Sequence, residues 1–464
     1  MAEHTGARAG GSDSSGYLND AKLLTALSFH VPQRTIEGLA PSSLPYMSYI
    51  PLGFLPYGSA EMTPTYPMGL PILIAAASKI FGASMGPHAT LWVQAMACLL
   101  LTFMLARAAG LGEGWSWVAC LALATSPLFI FMSLQAMSDM PALLWVTASV
   151  VAAIVSRRSI LSAFIAGFAL AFAVLIRPTN ILGILPVAFA IGFDWRRWLR
   201  FGIGAAPGAL VFCALNQALY GHAITTGYGN VSGDFGPQYA WPTMINYLHW
   251  LPVELSPLAA LAVALPIVLR EKAGFILPVL GSWILSFFAF YLFYRYTQQA
   301  WWYLRFVLPA FPALIVSALL VADRLLRNGS KSALWAAGIL ASFLVLGWNI
   351  AWTSRLGAQN IGDGEKVYLE TSLWVHDHLP ANCVLVAMQE SGALFYYTKH
   401  PVLRWDSMNP QVFGKVELAC ARAGIPIYMV LFPYETATAL KISPDRHWTR
   451  LGAVRFVQIW KLSD

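Results

Sequence analysis

Between residues 88 and 353, long apolar stretches alternate with short clusters of basic, acidic and proline residues. Several uninterrupted apolar runs reach about 17–22 residues, enough to cross a hydrocarbon core roughly 30 Å thick. The pattern predicts ten membrane-spanning helices at about 88–109, 114–134, 140–156, 160–176, 179–193, 199–220, 251–269, 273–293, 306–326 and 333–353. The Arg177-Pro178 break keeps the fourth and fifth short, because proline ends a helix at the residue before it. The stretch 66–82, YPMGLPILIAAASKIFG, carries two prolines and a lysine. It reads as a helix lying along the interface, with a short span as the alternative.

The last hundred residues change period. VLVAM (384–388), PVLRW (401–405), IYMVLF (427–432) and RFVQIW (455–460) read as strands, with helical patterns near 410–423 and 434–441. Alternating strands and helices predict a small α/β domain with a partly parallel sheet. The expected division is residues 1–87 as a first outer loop, 88–353 as the transmembrane part and 354–464 as the α/β domain.

Charge sets the orientation. One set of loops holds Arg107, Arg157, Arg158, Arg196, Arg197, Arg200, Arg270, Lys272, Arg324, Arg327 and Lys331; the other holds Arg177, Arg295 and Arg305. Basic loops stay in the cytoplasm. The loops around Asp139 and 221–250 are therefore expected outside, together with everything after 353. An even number of crossings puts the N-terminus outside too, although residues 1–20 resemble neither a signal peptide nor a leading span.

Composition supports a helical membrane protein: 58% of the 464 residues are hydrophobic and 11% charged, against roughly a quarter charged in a soluble domain. The net charge of +7 reads as topology signal, so no nucleic-acid partner is expected. No zinc-type spacing, Walker loop or dinucleotide glycine pattern occurs, and no nucleotide cofactor is expected. Cys98, Cys120 and Cys213 fall in apolar spans as packing residues. Cys383 and Cys420, the two cysteines of the outer domain, could form a disulfide there, and spacing alone leaves that open.

Four polar clusters converge on the outer face: Asp13 with Tyr17 and Asp20; Glu61 in AEMTPTYP; Asp139 in QAMSDMPALLW; and Arg177 of LIRPTN with Arg295 and Arg305 of YRYTQQAWWYLRFVLP. Ionisable groups near membrane depth need partners or a watery cavity. Arginine grips phosphate bidentately and a carboxylate takes a proton from an acceptor, so the set suits chemistry on a lipid-linked phosphate. Plainer readings compete. Asp13 and Asp139 could be helix caps, Arg305 and Arg295 could snorkel to the interface, and His222 could be an ordinary loop histidine.

In their order, SDSSGYLNDAKLL, TPTYPMGLPILIAAASKIFG, MSDMPALLW, LAFAVLIRPTNILGILP and WYLRFVLPAFPAL resemble the family 39 glycosyltransferases of the GT-C superfamily. That group includes protein O-mannosyltransferases and aminoarabinose lipid A transferases. The resemblance implies an enzyme of the bacterial inner membrane with a periplasmic C-terminal domain. It would transfer a sugar, with inversion, from a polyprenyl-phosphate donor to a lipid, glycan or protein acceptor. Carried onto this chain, Asp13 would be the general base and Asp139 would assist. Tyr17, Glu61, Tyr66, Arg177, Tyr303 and Arg305 would line the substrate site, with the arginines on phosphate. Glu61, with His222 as a conceivable second ligand, lies near where some members hold a metal, and metal use stays open. Ser14 stands where a second acid often sits, which departs from the protein-mannosyltransferase pattern. A transporter or flippase, or an inactive homologue, are the alternatives.

Overall fold

The computed structural model describes residues 6–268, 274–326 and 331–463. Arg270, Lys272 and Arg327 of the charge argument lie outside the described residues. The chain opens with α1 (Ser12–Thr25), followed by an antiparallel sheet of β1 (Val31–Pro32), β2 (Phe54–Tyr57) and β3 (Glu61–Pro64) in the order β1-β3-β2. The helical body follows: α2 (Gly69–Phe81), α3 (Met85–Ala108), α4 (Glu113–Thr125), α5 (Pro127–Ser133), α6 (Asp139–Val155), α7 (Leu161–Ile176), α8 (Ile184–Ile191), α9 (Trp195–Tyr220), α10 (Ala240–Leu255), α11 (Leu265–Val268), α12 (Ile276–Leu292), α13 (Phe311–Leu326) and α14 (Lys331–Leu356).

Four helical stretches among the described residues are long and apolar enough to cross a membrane: 85–108, 195–220, 308–326 and 335–356. Two bent pairs, 113–133 with a 62° bend and 237–268 with a 116° bend, raise the number to six. Ten spans are therefore not reached by length and composition. The remaining expected spans are helices of 10–17 residues. At 1.5 Å per residue a 17-residue helix such as α6 rises about 26 Å, short of the hydrocarbon thickness. Helix α2, with 13 residues, covers about 20 Å by the same rise, which suits a helix that does not cross.

The broken helices keep their polar backbone groups paired, as an apolar setting requires. At the Ser126-Pro127 break, Glu254 Oε2 accepts the Leu128 N–H at 2.6 Å. From α14, Asn349 donates to the Ala122 carbonyl and to Thr125 Oγ1. Elsewhere small residues set the spacing. A Cβ at Gly204 would sit 2.0 Å from the Phe164 carbonyl oxygen, and one at Gly167 2.0 Å from that of Phe201. Only glycines allow α7 and α9 to cross this closely.

After α14, α15 (Ile361–His378) leads into the C-terminal sheet, with β4 (Val384–Val386), α16 (Ser391–Tyr397), β5 (Val402–Leu403), α17 (Pro410–Ala423), β6 (Ile427–Leu431), α18 (Pro433–Ala439), β7 (Trp448–Val454) and β8 (Val457–Leu462). Its order is β5-β4-β6-β8-β7, parallel among the first three strands and antiparallel among the rest. The period-2 alternation of a strand sends Val384, Val386, Ile427 and Met429 to one layer with Phe413 and Val416 of α17. Leu385, Tyr428 and Val430 go to the other layer with Val367 and Val375 of α15. Cys420 belongs to the first layer and Cys383 to the second. The sheet separates them, both are free thiols, and the disulfide does not form.

The first layer also contains Ile36, Leu39, Leu44 and Tyr49 from the loop after α1. Polar contacts reinforce this joint. Arg34 donates to the carbonyls of Phe395 (2.9 Å) and Thr398 (2.8 Å), and Asn19 donates to that of Gly392 at 3.1 Å.

Candidate active site

Helix α1 starts without any side-chain cap at Gly11. Asp13, in its first turn, instead turns both oxygens to partners from elsewhere. Oδ1 accepts the Tyr66 hydroxyl at 2.8 Å, and Oδ2 pairs with Arg305 Nη2 at 3.1 Å. Ser12 Oγ and Tyr66 Oη are 2.9 Å apart, which fixes the phenol from its other side. Burial, with Asp13 beside it, pushes the Tyr66 phenol well above its usual range, so it remains a donor. The Asp13 and Arg305 side chains are 30% and 18% exposed, and both line a cavity of about 320 Å³. Gln135, Trp302 and Tyr303 line it as well.

Behind this pair lies a second. Asp139, first residue of α6, is fully buried, and its Oδ1 meets Arg177 Nη2 at 2.8 Å. Arg177 sits where α7 ends before Pro178, with extended backbone (φ −152°, ψ 116°). That turn lets its guanidinium reach back to Asp139 and to Ser138 Oγ at 2.9 Å. The Tyr17 hydroxyl faces Ser138 and Tyr228, and its ring lies 4.9 Å from that of Tyr66. Both guanidinium groups lie against the Phe306 ring, Arg305 at 5.2 Å and Arg177 at 5.6 Å, a placement that cation–π attraction favours. Neither Asp139 nor Arg177 lines the cavity.

Thus Asp13, Tyr17, Tyr66, Asp139, Arg177, Tyr303 and Arg305 come together, although they span almost three hundred positions. Glu61 does not join them. It sits exposed at the start of β3, opposite Tyr57 and Pro32. Arg295 pairs with Asp234 at 3.2 Å on an exposed surface. His222 is exposed, and no group of three His, Cys, Asp or Glu side chains that could hold a metal forms among the described residues. Asp20, expected beside Asp13, is fully buried, with neither carboxylate oxygen hydrogen-bonded among the described residues. Burial pushes its carboxyl well above the usual range.

Sequence reasoning missed Gln135, Trp302, Tyr228 and Glu365. Gln135 and Trp302 lay inside the quoted motifs, four residues from Asp139 and one from Tyr303. Glu365, on α15, lines the cavity together with Asp13 and has no local signature, since only the docking of the C-terminal domain brings it there.

Helical body, bent helix pairs, first segment and terminal sheet together make a membrane-protein fold that solved structures of glycosyltransferases share. Structures of ArnT from Cupriavidus metallidurans share it: bound to undecaprenyl phosphate, ArnT superposes with a TM-score of 0.59 at 14% identity, covering 96% of this chain and 97% of that one. Its apo form gives 0.60. The apo oligosaccharyltransferase of Archaeoglobus fulgidus gives 0.55 at 12% identity, over 94% of this chain and 68% of that one. The mycobacterial arabinofuranosyltransferase AftD gives 0.50 at 13% identity, over 97% and 40%. No protein-family model and no curated protein matches the sequence.

Proposed function

We propose that this protein is an inverting glycosyltransferase that moves a sugar from a polyprenyl-phosphate donor to an acceptor on the outer face of the bacterial inner membrane. The observation that carries the reading is the Asp13–Arg305 pair opening onto a cavity of about 320 Å³, within a fold shared with sugar transferases. One of these, ArnT, has been seen with undecaprenyl phosphate.

In this reading an acceptor hydroxyl or amine attacks the anomeric carbon of the donor. Its proton passes to an Asp13 oxygen as the new bond forms. The carbon–oxygen bond to phosphate breaks, and polyprenyl phosphate leaves with the electron pair. The leaving phosphate is already ionised, so no acid need protonate it, unlike the two-carboxyl arrangement of glycoside hydrolases. Arg305 has donor capacity to spare: among the described residues its Nη1 meets Met137 Sδ at 3.7 Å. Such donors suit the charge that grows on phosphate, which is electrostatic catalysis of the kind that supplies several kcal/mol in acyl transfer. Tyr66 aims Asp13, while Tyr17, Asp139 and Arg177 hold the wall behind it.

The test is incubation of membranes carrying the protein with a panel of undecaprenyl-phosphate sugars, followed by analysis of lipid, glycan and protein for transfer. Transfer by the native protein and none by Asp13→Asn is the expected result. An active Asp13→Asn protein would overturn the assignment of the base. Sugar movement into vesicles without any lipid-linked donor would replace the reading with a transporter.

A further inference from the structure

Glu365 reaches the start of α1 from the C-terminal domain. Its side chain is nine-tenths buried at 8% residue exposure, yet it lines the same cavity as Asp13 and Arg305. Its Oε2 has no hydrogen-bond partner among the described residues. An unpaired buried carboxyl oxygen is costly, and this one belongs to a side chain that lines an open cavity.

The first segment is shaped around this carboxyl. The Gly11 N–H and the Ser14 hydroxyl reach it from the start of α1. A Cβ at Gly10 would fall 1.4 Å from Oε2 and 2.3 Å from Cδ. Only a glycine leaves room for the acid at that position. Ser14, the residue standing where a second acid was expected in the sequence, therefore contacts an acid delivered from α15.

The rest of the lining suits a carbohydrate. Trp302 and Tyr303 offer aromatic faces, and Gln135 and Ser14 offer donors and acceptors. A sugar ring presents apolar C–H faces and polar hydroxyl edges, the same division. Resting on the reading of this cavity as a transferase site, we infer that Glu365 is a sugar-binding residue. It takes a ring hydroxyl of the donor sugar, so that the C-terminal domain contributes directly to donor selection.

The charge state fits this use. Burial first, with Asp13 adding to it, raises the Glu365 carboxyl to about 7, against stabilisation of the anion by Gly11, Ser14 and Arg8. Glu390, Tyr368 and Tyr397 also face it. None of these three carries a positive charge to offset ionisation. At pH 6.5 the neutral acid can both donate to and accept from a hydroxyl. At pH 8.5 the anion only accepts, and it adds negative charge beside Asp13.

The test uses the full-length protein and the undecaprenyl-phosphate sugar transferred fastest in the panel, with sugar-free undecaprenyl phosphate as the second probe. Glu365→Ala should raise the donor KM by about tenfold or more, the loss expected for one hydrogen bond to a buried polar partner. Affinity for undecaprenyl phosphate and kcat should each change by less than about threefold. Gly10→Ala, which keeps the acid but displaces it, should raise KM in the same way. The native KM should rise between pH 6.5 and 8.5, and Glu365→Gln should flatten that rise while recovering part of the KM lost in Glu365→Ala.

An unchanged KM in Glu365→Ala, a parallel loss of undecaprenyl phosphate affinity, or a pH rise that persists in Glu365→Gln would overturn the inference. If Glu365→Ala does not fold, the pH profile of Glu365→Gln decides. The two readings fail separately. An active Asp13→Asn removes the transferase assignment, whereas an inactive Asp13→Asn with normal Glu365 variants removes only this inference.

Discussion

Replacing Asp139 by asparagine should damage stability before it damages chemistry, and Asp13→Asn should do the reverse. The two acids each face an arginine at hydrogen-bond distance, but their surroundings differ. Asp139 is fully buried and Arg177 is 9% exposed. Asp139 Oδ2 and Arg177 Nη1 have no hydrogen-bond partner among the described residues. An amide at 139 keeps shape and one hydrogen bond but leaves the guanidinium charge uncompensated. Removing one partner of a buried pair costs about 3–5 kcal/mol. At 1.4 kcal/mol per decade, that is a shift of about two to three and a half decades in the folded-to-unfolded ratio.

The Asp13–Arg305 pair opens to solvent, and screening brings such a pair down to about 1 kcal/mol or less. The assay is thermal inactivation of purified, detergent-solubilised protein, read as the half-life of the folded form because unfolding of a chain of this size is not two-state. Asp139→Asn should shorten that half-life far more than Asp13→Asn. The double variant Asp139→Asn/Arg177→Gln should regain most of the loss, since no charge is left unpaired. An Asp139→Asn protein as durable as the native one yet inactive would refute the reasoning and give Asp139 a direct part in the chemistry.

Tyr66→Phe removes the donor to Asp13 Oδ1; a hydrogen bond to a charged group contributes about 1.5–3 kcal/mol, so kcat should fall about 10- to 100-fold in steady-state transfer assays. Glu365 sets a pH dependence of stability. Its folded value of about 7 lies above the ordinary 4.5, so between those values the folded state holds more protons and native stability falls as pH rises. At about 1.4 kcal/mol per pH unit the window amounts to about 3 kcal/mol at most, and Glu365→Gln should show a shallower slope than the native protein in melts taken from pH 4.5 to 7.5, where Asp20 adds a slope of the same sign. Because Cys383 and Cys420 are free thiols on opposite sides of the sheet, dithiothreitol should leave the melting temperature of the native protein unchanged; a drop would mean that the two sulfurs pair.

Local patterns carried the sheet domain well and the membrane part less well. Strands β4, β5, β6 and β8 and helices α17 and α18 follow from period-2 and period-3.6 patterns bounded by turn residues. Strand β7, with Arg450 and Gly452 inside it, shows too little alternation to stand out. The apolar runs marked helices, but four to six of them among the described residues are long and apolar enough to cross, because 139–155, 161–176, 178–191 and 276–292 fall short in length. In the site, Asp13, Asp139, Arg177 and Arg305 are legible because a charge beside an apolar run is conspicuous. Glu365 follows Gly362, Asp363 and Gly364 in an ordinary soluble-looking stretch, and nothing within twenty residues hints at Asp13. Glu61 misled for the opposite reason: it is the acid nearest the YPMGLP segment in sequence, but the hairpin turns it outward.

The joint between the first segment and the sheet domain decides how the cavity is built. Ile36, Leu39, Leu44 and Tyr49 are buried in the same layer as β4 and β6. At about 1.5–3 kcal/mol for each large apolar side chain withdrawn from water, pulling that layer apart would cost on the order of 6–12 kcal/mol. The hydrogen bonds of Arg34 and Asn19 add to the barrier. A domain held this way stays packed on the first segment nearly all the time, since even the low end of that range leaves an open population near one in ten thousand. Glu365 therefore keeps its place in the cavity wall with Asp13, Trp302, Tyr303 and Arg305 for as long as the joint stays packed.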